Sequence, residues 1–174
     1  MGLLDQDRPL NFAHRGASHE APANTLAAFL LAAELGADGI ELDVQLSKDG
    51  QVVVIHDFTV DATTDGHGPV AGFTLEELRA LDAGSWFDPA LAGQRILTLQ
   101  EVVDVVGDLL LLNIELKTRS LRDDGLAAAV VRAVEENALQ DRVVISSFNP
   151  LAVWRTKLLS EQIPVGLLYA PDSS

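Results

Sequence analysis

Acidic, basic and imidazole side chains stand at the ends of four apolar, strand-like runs in this chain. The four runs are LNFA before His14 and Arg15, GIELDV with Glu41 and Asp43, VVVI before His56, and LLLLNIELK with Glu115 and Lys117. Residues two apart in a strand project from the same face, so Glu41 points the same way as Asp43, and Glu115 the same way as Lys117. Burying neighbouring carboxylates is costly unless a cation or hydrogen-bond donors compensate. The pattern therefore predicts that these strand ends assemble one polar site.

Strand-like and helix-like segments alternate along the chain. The strands are expected at about 10–14, 39–46, 52–56, 109–117, 142–147 and 164–169, and the main helices near 24–35, 98–106, 123–137 and 150–160. Such alternation is typical of a parallel sheet that is covered by helices.

Two kinds of parallel sheet have this alternation. A doubly wound sheet normally has a glycine-rich phosphate turn after its first strand, and HRGASHEAPANT contains no such turn. Polar residues at the ends of several strands instead favour a (β/α)8 TIM barrel, whose sites form at that face. Because a complete barrel has eight strands, we expect a TIM-barrel type fold that is truncated after about six.

The whole chain, 1–174, is expected to form a single barrel domain with an insertion at 57–97, after the third strand. Within the insertion, TTDGHGP indicates turns and the stretch from Thr74 indicates a short helix at about 74–81. The last expected strand is followed directly by PDSS, so we expect the C-terminal strands of a complete barrel to be absent from this sequence.

Composition narrows the choice of partners. The formal charge is −14, from 26 acidic against 12 basic residues, which disfavours a nucleic-acid or anionic-membrane surface. The chain has no cysteine, which excludes a disulfide framework and a thiolate zinc site. Residues 1–12 lack the pattern of a secretory signal, and no apolar stretch is long enough to span a membrane. We therefore expect a cytoplasmic protein.

The spacing of the acids leaves two interpretations open. Glu41, Asp43 and Glu115 can hold a divalent cation, or they can form salt bridges with Arg15 and Lys117.

Four motifs resemble one family. HRGA at 14–17, ELDVQLSKDG at 41–50, IHD at 55–57 and NIELK at 113–117 are similar, in order and spacing, to the glycerophosphodiester phosphodiesterase family. TTDGHGPVAGFT and LDAGSWFDP also resemble the segment that this family inserts after its third strand. The resemblance implies a metal-dependent barrel hydrolase of lipid and glycerol metabolism. Such an enzyme converts glycerophosphodiesters to sn-glycerol 3-phosphate and an alcohol.

The resemblance also implies roles for individual residues. Glu41, Asp43 and Glu115 would hold the divalent cation, which their oxygen ligands suggest is Mg²⁺ or Ca²⁺ rather than zinc. The general acid and base would be His14 and His56, and the phosphate oxygens would be bound by Arg15 and Lys117.

Some positions lie outside or depart from the shared motifs. Trp86 and Phe87 could form an apolar wall beside the alcohol group, although packing within the insertion explains them as well. Ala23, in APANT, stands where the family usually has a glutamate, which affects the polar network of the first loop. A noncatalytic phosphate-ester or metal-binding module on an incomplete barrel is the alternative function. An open sheet would also favour pairing between copies of the chain as a homo-oligomer.

Overall fold

The computed structural model describes residue 3 and residues 7–170. Residues 1, 2 and 4–6 lie outside the described residues, as does PDSS at 171–174. Residues 1, 2 and 4–6 belong to the 1–12 segment from which the lack of a secretory signal is predicted. Among the described residues, no helix has the length and apolar character needed to cross a bilayer.

Seven strands and five helices make up the described fold. The strands are β1 (Phe12–His14), β2 (Gly39–Leu46), β3 (Val52–Val54), β4 (Leu97–Thr98), β5 (Leu111–Leu116), β6 (Val143–Ser147) and β7 (Val165–Leu167). The helices are α1 (Leu26–Glu34), α2 (Leu75–Arg79), α3 (Leu99–Val106), α4 (Leu126–Glu136) and α5 (Pro150–Leu159).

The strands form one open sheet in the order β4-β3-β2-β5-β6-β7, with β1 also paired to β2. The strands β1, β2, β5, β6 and β7 pair in parallel, as a (β/α)8-type fold requires. Among the described residues the sheet does not close, since β4 and β7 stand at its two ends. The expected TIM-barrel type fold, truncated before closure, is therefore confirmed.

The direction of two strands differs from the expected parallel sheet. β3 runs antiparallel to β2, and the additional strand β4 runs antiparallel to β3. The reason is the short connection after Leu46, where Ser47 donates its backbone N–H to the Gln51 carbonyl at 2.9 Å. A parallel crossover needs about a dozen residues or more, so a turn this short permits only an antiparallel partner.

Side-chain caps fix where several helices begin. Thr98 and Glu101 form a capping box at the start of α3, and Thr25 accepts a hydrogen bond from the backbone N–H of Ala28 in α1. Asn149 caps α5 ahead of Pro150, whose fixed φ suits the first helical position.

Two apolar clusters hold the molecule together. The larger cluster lies between the sheet and the helices α1, α3 and α4, and it includes Ile40, Leu42 and Val44 from the helix-covered face of β2. The smaller cluster joins β3 to the inserted segment through Val53, Ile55, Val60, Val70, Leu78, Ala83 and Ile96. The insertion therefore has an apolar centre of its own, which is attached to the sheet through β3.

Candidate active site

Three carboxylates meet where β2 and β5 lie side by side. Asp43 is opposite Glu115 in the register of the two parallel strands, and Glu41 lies two residues before Asp43 on the same face. One carboxylate oxygen from each residue lies within 4.8 Å of the others, and all three residues are buried. The two strands thus bring the predicted acidic trio together.

The buried acids are incompletely compensated. Desolvation, followed by the negative charge of Asp43, raises the pKa of Glu41 to about 7. Glu41 Oε1 and Asp43 Oδ1 are buried without a hydrogen-bond partner among the described residues. Buried oxygens of this kind are unusual in native proteins and are the ligands that hard cations prefer. The trio therefore fits a divalent cation.

Two basic side chains lie against the same acids. Arg15 Nε is 3.3 Å from Asp43 Oδ2, and Lys117 Nζ is 2.9 Å from Glu115 Oε1. Lys117 Nζ is also 3.7 Å from Asp43 Oδ1, which is too far for a hydrogen bond. The salt bridges considered from the sequence are thus present. They do not exclude a cation, because two positive charges leave one of the three negative charges unbalanced.

The two predicted histidines open onto one cavity. This cavity has a volume of about 450 Å³, and its wall consists of His14, Arg15, Glu41, His56, Asn113, Glu115, Lys117, Ser146, Phe148 and Leu168. His14 Nε2 is 3.7 Å from Glu41 Oε2, and partial burial together with the Arg15 charge lowers the pKa of His14. On the other side, His56 Nδ1 is 2.7 Å from Asp57 Oδ1. Both imidazoles therefore adjoin the acids and the basic side chains.

The strand directions explain why the histidines meet. β5 pairs along one edge of β2, so β1 and β3 share the other edge. β1 runs with β2 and ends at His14, opposite Glu41. β3 runs against β2, and Ile55 just beyond its end donates to the Asp43 carbonyl at 3.0 Å. The two strands approach head to head, and each delivers a histidine to the same short part of β2.

A tight turn after β1 sets the position of Arg15. Arg15 and Gly16 both have left-handed backbone conformations, with φ of 58° and 79°. A Cβ added to Gly16 would lie 2.7 Å from the backbone carbon of Ala28, so helix α1 packs directly on the turn. Glycine is needed here both for its conformation and for its size.

Asn24 contacts the acidic trio, and the sequence did not reveal this. It could equally have capped the first helix, but Thr25 does so. Asn24 instead donates from Nδ2 to Asp43 Oδ2 at 2.9 Å, and its Oδ1 lies 3.4 Å from the Asp43 backbone nitrogen. The Asn24 amide thereby fills the gap in the hydrogen-bond ladder between β1 and β3. Nothing in the local sequence distinguishes this role from capping.

Gln45 is a second residue with an unpredicted contact, and here the sequence held a signal. It follows Glu41 and Asp43 at the same two-residue spacing, so it faces the same side of β2. Its buried amide nitrogen donates to the carbonyls of Ile55, His56 and Asp57 at 2.9, 3.1 and 2.7 Å. Gln45 therefore fixes the segment that carries His56.

The aromatic residues differ in their relation to the cavity. Trp86 and Phe87 pack edge to face, with ring centroids 5.7 Å apart, and Trp86 donates to the Ala83 carbonyl. Neither lines the 450 Å³ cavity, so a substrate wall formed by them stays a prediction. Phe148 lines the cavity instead and was not predicted.

Ala23, the position that departs from the family pattern, borders a separate and smaller cavity. This cavity has a volume of about 50 Å³ and also adjoins Arg15, Asn24 and His56. The side chain that is absent at position 23 would therefore have reached the polar network of the first loop.

Comparison with known proteins follows the same residues. The chain matches the model of the glycerophosphoryl diester phosphodiesterase family over residues 14–174. It is 50% identical over 163 residues to a glycerophosphodiester phosphodiesterase of Caldanaerobacter subterraneus subsp. tengcongensis, covering 93% of this chain and 67% of that protein. It is also 34% identical over 175 residues to glycerophosphodiester phosphodiesterase 1 of Rattus norvegicus, covering 98% of this chain and 52% of the rat protein.

Solved structures give the same result. An Oleispira antarctica phosphodiesterase, in complex with the product sn-glycerol-3-phosphate, superposes with a TM-score of 0.81 at 38% identity, over 95% of this chain and 68% of that one. The glycerophosphodiester phosphodiesterase of Agrobacterium tumefaciens gives a TM-score of 0.82 at 35% identity, over 88% and 64%. This chain thus spans about half to two thirds of the length of these relatives. With its motifs, its sheet and its similarity all in agreement, the chain belongs to the glycerophosphoryl diester phosphodiesterase family.

Proposed function

We propose that this protein hydrolyses glycerophosphodiesters to sn-glycerol 3-phosphate and an alcohol, with a divalent cation and with two histidines as general acid and base. The observation that carries the proposal is the shared cavity, whose wall includes Glu41, Glu115, the two basic side chains and the two imidazoles, with the buried Asp43 carboxylate directly beside the two acids. Cleavage of a phosphodiester requires charge neutralisation at phosphorus, a deprotonated nucleophile and a protonated leaving group. The cavity offers a group for each requirement.

Glu41, Asp43 and Glu115 would hold the cation, as Mg²⁺ or Ca²⁺. When bound, such a cation neutralises charge on the phosphoryl oxygens. Arg15 and Lys117 would bind the remaining phosphate oxygens, Arg15 through its guanidinium fork and Lys117 as a point charge. Their contacts with the acids hold both side chains beside the phosphate position.

The environments of the two histidines suggest how they divide proton transfer. Asp57 accepts a hydrogen bond from Nδ1 of His56, which leaves Nε2 to take the proton of the attacking glycerol hydroxyl and stabilises the resulting imidazolium. The hydroxyl oxygen bonds to phosphorus as the alcohol leaves with a proton, and water then opens the resulting cyclic phosphate to give sn-glycerol 3-phosphate. The pKa of His14 is lowered, so its protonated form gives up a proton more readily, and we assign it to the leaving alkoxide. His56 would be the base and His14 the acid.

We propose further that residues 1–174 act as one domain, that the 57–97 insertion contributes to substrate binding, and that Trp86 or Phe87 forms part of an alcohol-binding wall. The small size of the cavity supports a small-molecule substrate. The strong negative charge supports a protein that does not bind nucleic acid, and the cysteine-free composition fits the reducing cytoplasm that we propose as its location.

The open sheet supports one further proposal. Strand β7 would pair with a strand from a second copy of the chain or from residues outside this sequence. Leu167 and Tyr169 at this edge are 57% and 82% exposed. An unpaired edge with exposed apolar side chains favours strand addition. Light scattering in dilute solution gives the test, since a monodisperse monomer of 18.6 kDa would contradict pairing between copies.

The noncatalytic alternative has one observation in its favour, the open side of the cavity between β1 and β7. A phosphate-ester or metal-binding module would bind glycerophosphocholine in the presence of Mg²⁺ and release no glycerol 3-phosphate. An enzyme releases it, which makes product formation the discriminating measurement.

His14→Ala and His56→Ala test the catalytic proposal. Each should lower the rate of glycerol 3-phosphate release by about 10²–10⁴-fold while the thermal melting temperature changes little, because both side chains reach the surface. The matched control is His67→Ala, which removes an imidazole that is 85% exposed beside Asp61. Rates within a few-fold of the parent for both site variants would reject the assigned roles.

A further inference from the structure

A second cavity adjoins the active site. It has a volume of about 360 Å³, and its wall consists of His56, Asp57, Phe58, Thr59, Lys117 and Arg119. His56 and Lys117 belong to both cavities, so a substrate whose phosphate lies between them can extend from the first into the second.

Arg119 covers the aromatic surface of this second cavity. Its guanidinium carbon lies 4.1 Å from the centroid of the Phe58 ring, which is a close cation–π contact. The backbone that carries this ring is held in place, because the Phe58 carbonyl accepts a hydrogen bond from the N–H of Val70 at 3.0 Å. A quaternary ammonium group would use an aromatic face of this kind, but the guanidinium already occupies it.

The charges around the cavity point to its preferred ligand. Asp57 is engaged with His56 at 2.7 Å, and Lys117 is engaged with Glu115 at 2.9 Å. Among the described residues, the Arg119 guanidinium has neither a salt bridge nor a hydrogen bond, and its contact is with the Phe58 ring. Lys117 is assigned to the reacting phosphate, so Arg119 is the charged group of this wall that is left to bind the alcohol part of a substrate.

Resting on the proposed function, we propose that Arg119 selects diesters whose alcohol carries a second anionic group, a phosphate or a carboxylate, over diesters whose alcohol is cationic. The fork of the guanidinium matches either oxyanion, and the same charge repels an ammonium group. Arg119 contacts the alcohol group in this arrangement and determines specificity without touching the reacting phosphate.

The test compares kcat/KM for three diesters in the presence of Mg²⁺. The three diesters differ in the charge of their alcohol and are named by that charge. The alcohol is neutral in glycerophosphoglycerol, anionic in its phosphomonoester and cationic in glycerophosphocholine. The parent protein should prefer the anionic to the cationic diester by about tenfold or more, and the preference should shrink at high salt. Arg119→Met should reduce the ratio roughly tenfold by removing the charge-assisted contacts, and Arg119→Glu should reverse it.

The control is Arg132→Met, which removes the same charge from an exposed position on α4 and should leave the ratio unchanged. A parent that hydrolyses the cationic diester at least as well as the anionic one would overturn the inference, and so would an Arg119→Met ratio within twofold of the parent. A parent that hydrolyses none of the three diesters refutes the proposed function instead. In that case, calorimetry measures the dissociation constants of the same diesters. The ratio of the constants for the cationic and the anionic diester, in the parent and in Arg119→Met, then tests the selectivity by the same criteria.

Discussion

Gln45 offers a sharp test of how the fold positions the proposed general base, His56. Its buried amide is shared among the carbonyls of Ile55, His56 and Asp57, at 2.7–3.1 Å. Gln45→Met keeps most of the side-chain volume and removes both N–H donors, which leaves carbonyls in a buried position without their partner. The perturbation therefore acts on the His56 segment without altering the acids or the basic side chains.

The size of the effect follows from the hydrogen bonds. Two amide hydrogens at about 1 kcal/mol each give a loss of about 2 kcal/mol in the free energy of unfolding. For a domain of this size the melting temperature should fall by roughly 4–8 °C. If the His56 imidazole then shifts by about 1 Å, the rate of diester hydrolysis should fall by about 10²-fold, well beyond the loss of folded protein.

Calorimetric melts and steady-state rates on glycerophosphoglycerol, at a temperature where both proteins are folded, measure the two effects separately. Gln45→Glu should lose more than Gln45→Met, because its carboxylate oxygens face three carbonyl oxygens. The control is Gln51→Met, at an exposed turn position whose side chain makes no hydrogen bond among the described residues. A Gln45→Met protein with a parental melting temperature and kcat/KM within about threefold of the parent would refute the positioning role.

Three further predictions concern stability. Glu41→Gln should raise the melting temperature in a chelator, because it removes the repulsion that contributes to a Glu41 pKa of about 7. It should also abolish the increase in melting temperature that Mg²⁺ gives the parent. Equal Mg²⁺ shifts in both proteins would refute the three-acid site. Gly16→Ala should destabilise by more than Gly36→Ala in urea titrations, because both positions have positive φ but only Gly16 places a Cβ against Ala28. Asp82, whose pKa is lowered to about 2 by hydrogen bonds, should stabilise the fold fully above its ordinary pKa and lose that effect as pH falls through about 2, so the stability difference between the parent and Asp82→Ala should vanish between about pH 4 and pH 2.

Much of the site could be predicted from the sequence because strand periodicity determines which side chains share a face. Glu41 and Asp43 were placed together by their two-residue spacing, and His14 and His56 by their positions at strand ends. The pairing of Asp43 with Glu115 depends on the register between β2 and β5, which no local pattern encodes. The resemblance to a family supplied that information indirectly.

The remainder depends on tertiary contacts that polar residues make with backbone. Asn24 resembles an ordinary helix cap, and only the gap between β1 and β3 gives its amide another partner. The antiparallel direction of β3 could be predicted from the sequence, because the connection at 47–51 is too short for a parallel crossover. The regular alternation of strands and helices nevertheless favoured a parallel sheet. Arg119 and Phe58 lie 61 positions apart in the numbering and meet only in the folded chain.

The head-to-head approach of β1 and β3 has a consequence for how the protein can vary. His14 is carried by a strand that pairs within the main sheet, whereas His56 follows a strand whose Val53 belongs to the smaller apolar cluster. The separation of the two histidines therefore depends on how the smaller cluster sits on the sheet, in addition to the pairing of β3 with β2 and the Gln45 contacts. Under the proposed function, substitutions at Leu78, in that cluster, would alter proton transfer through His56 while the carboxylates on β2 and β5 keep their geometry. Selection could then adjust the proposed cation site and the proposed general base independently.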